Sequence, residues 1–462
     1  MSTRRTPVPK SLAQVVPRWL TALVCAIAPL ATAAPAMGQV ADVEAALPYD
    51  APPVELLEAR RARLLDSIGS GVVLIRSASS RDIERDYPQD SDFRQNNDFL
   101  YLTALETPDS WLLLSSAPDG TRQERLFIPE RNEMMERWTG AKPSFEDAAA
   151  VSGISDVSAA DEVERGIRRL AFHRDGAATV YAPLNDRTRD DELIQRLLFD
   201  WPLEVKDVEP VIAQLRLVKD QFELAMLQRA IDITAAAQRA AMQHARPGMY
   251  EYELEAVIEY TFRAGGAERV GFPSIVGSGP NSVVLHYDKS RRRMEDGDLV
   301  VMDIGAEYSY YTADVTRTIP VSGTFSERQR AIYALVLGAQ RAGMEAVKPG
   351  ATIQDVNAAA RAWMQEHSGD LCGDESCDAF FVHGVGHWLG MDVHDVGGYG
   401  AVFEPGMVLT VEPGIYLPEE ELGVRIEDDV LVTESGYRLL SDGAPRDPGE
   451  IETLMRQRLS LN

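Results

Sequence analysis

Cysteine is scarce. The chain has 462 residues and three cysteines, Cys25, Cys372 and Cys377. That is too few thiolates for a four-cysteine structural zinc site. Basic residues are also short, 46 against 72 acidic, for a formal net charge of −26. This balance excludes a surface built for nucleic acid or an anionic membrane, but it does not choose a substrate. The H-E-x-x-H spacing of helical zinc peptidases is missing as well. His383 and His387 stand four apart, yet Gly384-Val385-Gly386 between them supplies no glutamate to act as base.

What is present reads as ordinary globular protein, 45% hydrophobic and 26% charged, long enough for two or three domains. Residues 1–38 stand apart. Arg4, Arg5, Lys10 and Arg18 precede an apolar segment over 19–36 that is too short and too proline-broken for a membrane span. Small residues then crowd 31–38, the pattern of an export signal cleaved near Ala33 or Gly38. Cys25 leaves with it. Cys372 and Cys377 remain as a C-x4-C pair that an oxidising compartment would join across a short loop.

Residues 39–216 alternate short strands and helices and read as one α/β domain. Strands are expected at 72–75, 99–102, 111–114, 126–128 and 179–181, and helices at 54–68, 161–172 and 190–199. A second domain, 217–462, opens with Asp220-Gln221-Phe222-Glu223, a capping box at the head of a long helix that stops at Pro247-Gly248. A shorter helix follows and ends at Gly265-Gly266.

This domain repeats itself. Ala237-Gln238-Arg239-Ala240-Ala241-Met242 followed by Arg246-Pro247-Gly248 matches Ala339-Gln340-Arg341-Ala342-Gly343-Met344 followed by Lys348-Pro349-Gly350. Further on, Val301-Met302-Asp303-Ile304-Gly305 aligns with Thr410-Val411-Glu412-Pro413-Gly414, so Asp303 and Glu412 occupy equivalent places. A second acidic strand follows in each half, with Asp314 or Glu427. The order helix, Pro-Gly, helix, acid strand, acid strand recurs whole. It implies a duplicated half-domain about a pseudo-two-fold axis, with four carboxylates converging where the halves meet.

The runs Leu299–Ile304 and 310–319 read as a β-hairpin with a carboxylate inside each apolar strand. Burying such a group needs a positive partner, either a metal ion or a nearby arginine. Three of the seven histidines, His383, His387 and His394, fall within twelve residues of a Gly-rich stretch, and His286 follows a Gly/Pro/Asn/Ser loop. Four carboxylates with imidazole suit a pair of divalent ions, manganese first, with cobalt or iron open. Such ions generate hydroxide near neutral pH, which points to a hydrolase.

Taken together, V-M-D-I-G, T-A-D-V-T-R-T, H-G-V-G-H-W-L-G-M-D-V-H-D, V-L-T-V-E-P-G-I-Y and G-V-R-I-E-D-D resemble the pita-bread metallopeptidases, and among them the Xaa-Pro aminopeptidases (aminopeptidase P). Phe93-Arg94-Gln95-Asn96-Asn97-Asp98 is similar to the N-domain of that branch. The resemblance implies an α/β (α+β) architecture, an N-terminal α/β domain followed by a pseudo-two-fold pita-bread catalytic domain. It implies Asp303, Asp314, His387, Glu412 and Glu427 as ligands of two divalent ions, most simply Mn2+, with Asp314 and Glu427 bridging. A hydroxide held between the ions would attack the scissile carbonyl, and Glu412 would shuttle the proton. His286, His383 and His394 would contact the substrate or its developing oxyanion, and Arg425 would orient Glu427. The implied partner is a peptide with proline second, and the implied assembly a homo-oligomer. Prolidase, which takes only dipeptides, is the nearest rival. A ligand-less pita-bread binding protein is the rival from another class, and the five intact ligand positions argue against it.

Overall fold

The computed structural model describes residues 50–79, 93–173, 176–185 and 191–457. The expected export signal and its cleavage site lie outside the described residues, as does Asp190 at the head of one expected helix. Among the described residues no helix is long and apolar enough to cross a membrane.

The first domain is organised by six strands: β1 (Gly71–Arg76), β2 (Trp111–Ser116), β3 (Arg122–Ile128), β4 (Val157–Ala159), β5 (Val180–Ala182) and β6 (Val205–Asp207), in spatial order β4-β3-β2-β1-β5-β6. The centre is antiparallel, and parallel pairs close both edges. β1 and β2 are apolar at nearly every position because both faces of the sheet are covered. Val73, Ile75, Leu112 and Leu114 meet Leu64 and Leu65 of helix α1 (Val54–Ile68) on one face. Val72, Leu74 and Leu113 meet Ile167 and Leu170 on the other.

Residues 99–102 are not the expected strand. They form helix α2 (Asn97–Thr103), buried along its length. A four-residue apolar run cannot separate a strand from a buried helix by periodicity. Here the cap decides, because the Asn96 side chain accepts from Asp98 N at 3.0 Å and Phe99 N at 3.1 Å.

In the second domain, Asp220 and Glu223 form the expected capping box on helix α3 (Gln221–His244), and α4 (Glu251–Ala264) follows. The repeat supplies α5 (Glu327–Ala346) and α6 (Ile353–His367). The strands that carry the site are β7 (Ile275–Ser278), β8 (Leu299–Ile304), β9 (Val315–Pro320), β10 (Val408–Val411), β11 (Gly414–Leu417), β12 (Leu422–Arg425) and β13 (Asp428–Val432). β8 lies between β7 and β9, and β13 pairs with β10.

The expected hairpin is interrupted. Ser309 and Tyr310 take positive φ of 47° and 67° in a tight turn, and Tyr311–Thr312 pairs back on Ala306–Tyr308 in a small separate sheet. β9 starts only at Val315. Asp314 therefore sits at the kink between two sheets rather than inside a strand.

Strand register shows how far the duplication goes. Met302 pairs with Arg317, and its repeat equivalent Val411 pairs with Asp428. Arg317 and Asp428 are thus equivalent, and they bond to each other at 2.7 Å with neither side chain exposed. By the same register Glu427 corresponds to Thr316, and Asp314 to Arg425. The halves share a backbone plan but not a charge pattern. Gln238 and Gln340, equivalent on α3 and α5, brace the two sheets alike. Gln238 donates to Met302 O and Val315 O, and Gln340 to Val411 O and Ile426 O, all between 2.8 and 3.2 Å.

Arg317 also donates to the carbonyls of Thr316, Glu427, Ala444 and Pro445, so the pair is fully engaged and dry. Removing one member strands a buried charge, which costs about 3–5 kcal/mol, whereas removing both costs less than the sum. Asp428→Asn should therefore lower the urea midpoint of the metal-stripped protein steeply, and adding Arg317→Met should restore part of the loss. Additive losses would contradict this reading.

Candidate active site

Every residue singled out in the sequence reaches one cavity of about 740 Å³: Asp303, Asp314, His387, Glu412 and Glu427, with His286, His383, His394 and Arg425. Asp303 comes from β8, Asp314 from the kink before β9, and Glu412 from the end of β10. Glu427 lies between β12 and β13, where its N–H donates to Thr316 O at 3.1 Å. The Gly-rich turn runs against β10, with Thr410 N donating to His387 O at 2.9 Å and Glu412 N to Val385 O at 2.7 Å. Gly386 makes that approach possible, since a Cβ there would lie 2.0 Å from Thr410 O.

The carboxylates are short of partners. Asp303 Oδ1, Asp314 Oδ1, Glu427 Oε1 and Asp429 Oδ1 are buried with no hydrogen bond. Orphaned buried oxygens of this kind call for a cation. Burial pushes Asp314 and Glu427 well above the ordinary carboxylate range, and neighbouring acids push them further. Burial also raises Glu412, to about 7. Ligand atoms of Asp314, His387 and Glu427 lie within 4.8 Å of one another. His387 Nε2 stands 3.4 Å from Asp314 Oδ2 and 3.6 Å from Glu412 Oε1.

The imidazole is set for ligation. His387 Nδ1 lies 3.1 Å from Trp388 O, which can only accept. The proton is therefore on Nδ1, and the Nε2 lone pair faces the acids. Oxygen donors with one imidazole fit hard or borderline divalent ions.

Arg425 does not bond Glu427 directly. It shares a face with Glu427, but its guanidinium crosses β9 and donates Nη2 to Asp303 Oδ2 at 2.6 Å and Nη1 to the Tyr416 hydroxyl at 2.9 Å. Glu427 accepts from Thr316 Oγ1 at 2.7 Å, and that hydroxyl accepts from Arg425 Nε at 3.3 Å, so Arg425 reaches Glu427 through Thr316. Among the described residues one oxygen of Asp303 has an arginine and the other has no hydrogen bond, while Asp314 has no arginine.

Both nitrogens of His383 are committed. Nδ1 donates to Gly384 O and Nε2 accepts from the Tyr416 hydroxyl, each at 2.8 Å. Burial and nearby Arg425 depress it to about 4, so it is neutral and presents its ring to the cavity. The His394 ring lies with its centroid 4.1 Å from that of His387 and tilted by 46°, its pKa lowered by burial and by that neighbour.

The turn carrying His394 is tied down by residues the sequence did not single out for this. Buried Asp395 accepts from Arg216 at 2.6 Å and Lys219 at 3.1 Å, and Arg94 of the first domain donates to Met391 O at 2.8 Å. Two other residues were missed, Tyr416 and Asp429. Asp429 Oδ2 accepts from Asp314 N at 3.3 Å. Strand alternation from Glu427 was the signal that could have found it.

Carboxylate-rich halves joined in this way define a metallopeptidase scaffold, and residues 225–434 match the model of metallopeptidase family M24. Residues 57–181 match the aminopeptidase P N-terminal domain. The chain is 36% identical to the Xaa-Pro aminopeptidase of Escherichia coli (strain K12), over 86% of this chain and 96% of that one. It is also 36% identical to Xaa-Pro aminopeptidase 1 of Streptomyces lividans, over 79% of each. Among solved structures it is similar to E. coli aminopeptidase P with the inhibitor Pro-Leu, with a TM-score of 0.81 and 35% identity over 88% of this chain and 99% of that one. Proline aminopeptidase P II from Yersinia pestis gives 0.80 at 33% identity, over 88% and 100%. The chain belongs to the Xaa-Pro aminopeptidase (aminopeptidase P) family.

Protons and cations compete for the same oxygens. The acids whose pKa burial has raised hold protons that an incoming ion must displace, so lowering the pH weakens binding and raising it strengthens binding. Calorimetric titration of metal-stripped protein in two buffers of different ionisation enthalpy should show proton release at about pH 6, lower than the value of about 7 at which Glu412 gives up its proton. Uptake without proton release at that pH would contradict the acid environment described.

Proposed function

We propose that this metal-dependent aminopeptidase releases the N-terminal residue from peptides of three or more residues with proline second, using two divalent ions held by Asp303, Asp314, His387, Glu412 and Glu427. The observation that carries the reading is that Asp303, Asp314 and Glu427, each with an orphaned buried oxygen, line one apolar-walled cavity. Bound divalent ions supply a Lewis acid for the scissile carbonyl and make water acidic enough to ionise near neutral pH. The hard-oxygen donor set favours Mn2+.

The residues do the rest. Phe272, Pro273, Leu285 and Val393 line the cavity and offer a wall for a pyrrolidine ring. An Xaa-Pro bond has no N–H to donate and a fixed φ, so it resists peptidases that need an extended, hydrogen-bonded chain. A site that grips the carbonyl avoids that requirement. The free α-amine is recognised beside the carboxylate cluster, which keeps cleavage at the first residue. His394, neutral and supported by the Asp395 turn, faces the carbonyl oxygen as negative charge develops. Glu412, whose Oε1 stands 3.6 Å from His387 Nε2 at the cavity, is the carboxylate we assign to take and return a proton. Arg425 holds Asp303 in place and keeps Tyr416 in contact with His383.

The match of residues 57–181 to the aminopeptidase P N-terminal domain supports this branch over prolidase. Export is part of the proposal. The leader supports it, as does Cys372–Cys377, which is bonded with Cα atoms 5.3 Å apart. We also propose a homo-oligomer.

Assayed with Mn2+, the enzyme should cut Xaa-Pro-Xaa tripeptides and longer chains, and acetylating the amine should abolish cleavage. Cleavage of blocked peptides, or of dipeptides alone, would refute the assignment. Intact mass of protein from its native host should give a mature N-terminus near Ala34 or Gln39 and an oxidised cysteine pair. A full-length chain with two free thiols would refute export.

A further inference from the structure

His286 is the only one of the four cavity histidines outside the Gly-rich turn of the second half. It lies on the connection between β7 and β8, whose regular structure is limited to one short 3-10 segment, Gly279–Val283. A side chain on so long a connection keeps a defined direction only if something fastens the loop on both sides of it.

Glu251 does so. It is the first residue of α4, wholly buried, and it does not line the cavity. Its Oε1 accepts from Ser278 N at 2.8 Å, Ser278 Oγ at 2.7 Å and Asn281 Nδ2 at 3.0 Å. Its Oε2 accepts from the Tyr287 hydroxyl and from Arg292 N, each at 2.8 Å. The donors come from both sides of His286, and one of them is its immediate neighbour. Hydrogen bonds to an ionised acceptor are about twice as strong as neutral ones, so one carboxylate is a firm clamp. The helix backbone adds to it, with Glu251 N donating to Arg292 O at 3.0 Å. The duplicated fold does not need an acid here, because the repeat-equivalent residue on α6 is Ile353.

We propose that Glu251 is a positioning residue for the aminopeptidase reaction, locking the loop from Ser278 to Arg292 so that His286 faces the substrate. The inference rests on the substrate contact assigned to His286. Glutamine cannot take over the role. Each carboxylate oxygen meets a backbone N–H, so whichever way the amide turns, its NH2 group confronts a donor.

The test measures kcat, KM and bound metal for the holoenzyme with an Xaa-Pro-Xaa tripeptide. Its variants are Glu251→Gln, Tyr287→Phe and His286→Ala, together with each of the first two combined with His286→Ala. Glu251→Gln should lower kcat about 10- to 100-fold through misplacement of His286, with metal content unchanged. Tyr287→Phe, which deletes one of the hydrogen bonds, should cost several-fold. In the His286→Ala background neither should cost more than about twofold further, because both act through that imidazole. Losses that multiply in that background, a fall in metal content, or an unchanged kcat for Glu251→Gln would overturn the proposal. If Glu251→Gln does not fold, Tyr287→Phe decides by the same comparison. A His286→Ala enzyme of full rate would remove the substrate role of His286 and that of Glu251 with it. An impaired His286→Ala beside a fully active Glu251→Gln would remove only the latter.

Discussion

Negative charge left without a counter-charge, at the seam between two halves of one domain, is the constraint on which the rest of this structure depends. Among the described residues, Asp303, Asp314 and Glu427 each keep one buried oxygen free of any hydrogen bond. Such an arrangement opposes folding, since like charges at low effective dielectric repel and desolvation adds to the cost. The groups that hold these acids are mostly neutral. Thr316 bonds Glu427, and Gln238 and Gln340 bond backbone carbonyls beside the acids rather than the acids themselves. The fully buried cation of the seam, Arg317, is spent on Asp428, one strand position away from Glu427. Arg425 reaches the cavity but neutralises only one oxygen of Asp303. The scaffold withholds positive charge, which leaves the work of neutralisation to bound ions.

Duplication explains the scaffold and not the chemistry. The two halves brace their sheets with equivalent glutamines and put equivalent residues, Arg317 and Asp428, into contact at the axis. Elsewhere the symmetry is broken where function needs it. Asp314 occupies the place that Arg425 has in the other half, and Glu427 the place of Thr316. The histidine loops are also fastened by opposite means. On α6, Arg361 donates to the carbonyls of Phe381 and His383, at 2.7 and 3.3 Å, whereas on α4 Glu251 accepts from its loop. The first domain takes part as well, since Arg94 braces the turn of His394 from across the domain boundary.

Much of this could be read in advance, for definite reasons. An acid inside an apolar strand is costly enough to stand out in a single sequence, and the repeat text carried Asp303 onto Glu412. The capping box at Asp220 and Glu223 is local chemistry and appeared where expected. What escaped depends on long-range geometry. Whether residues 99–102 formed a strand or a helix turned on one asparagine side chain. The partner of Arg425 depended on how far a guanidinium extends across a neighbouring strand. The shift of Glu427 relative to Asp314 is a matter of strand register, which a hydrophobic pattern fixes only where one face is exposed. Glu251 was hidden because it looked like any acid in the first turn of a helix.

The measurement that bears most directly on the account is anomalous diffraction from crystals of the protein grown or soaked with Mn2+. The account predicts two anomalous peaks per chain, inside the ring formed by Asp303, Asp314, His387, Glu412 and Glu427, with the orphaned carboxylate oxygens turned toward them. A single peak, or none within that ring, would contradict it.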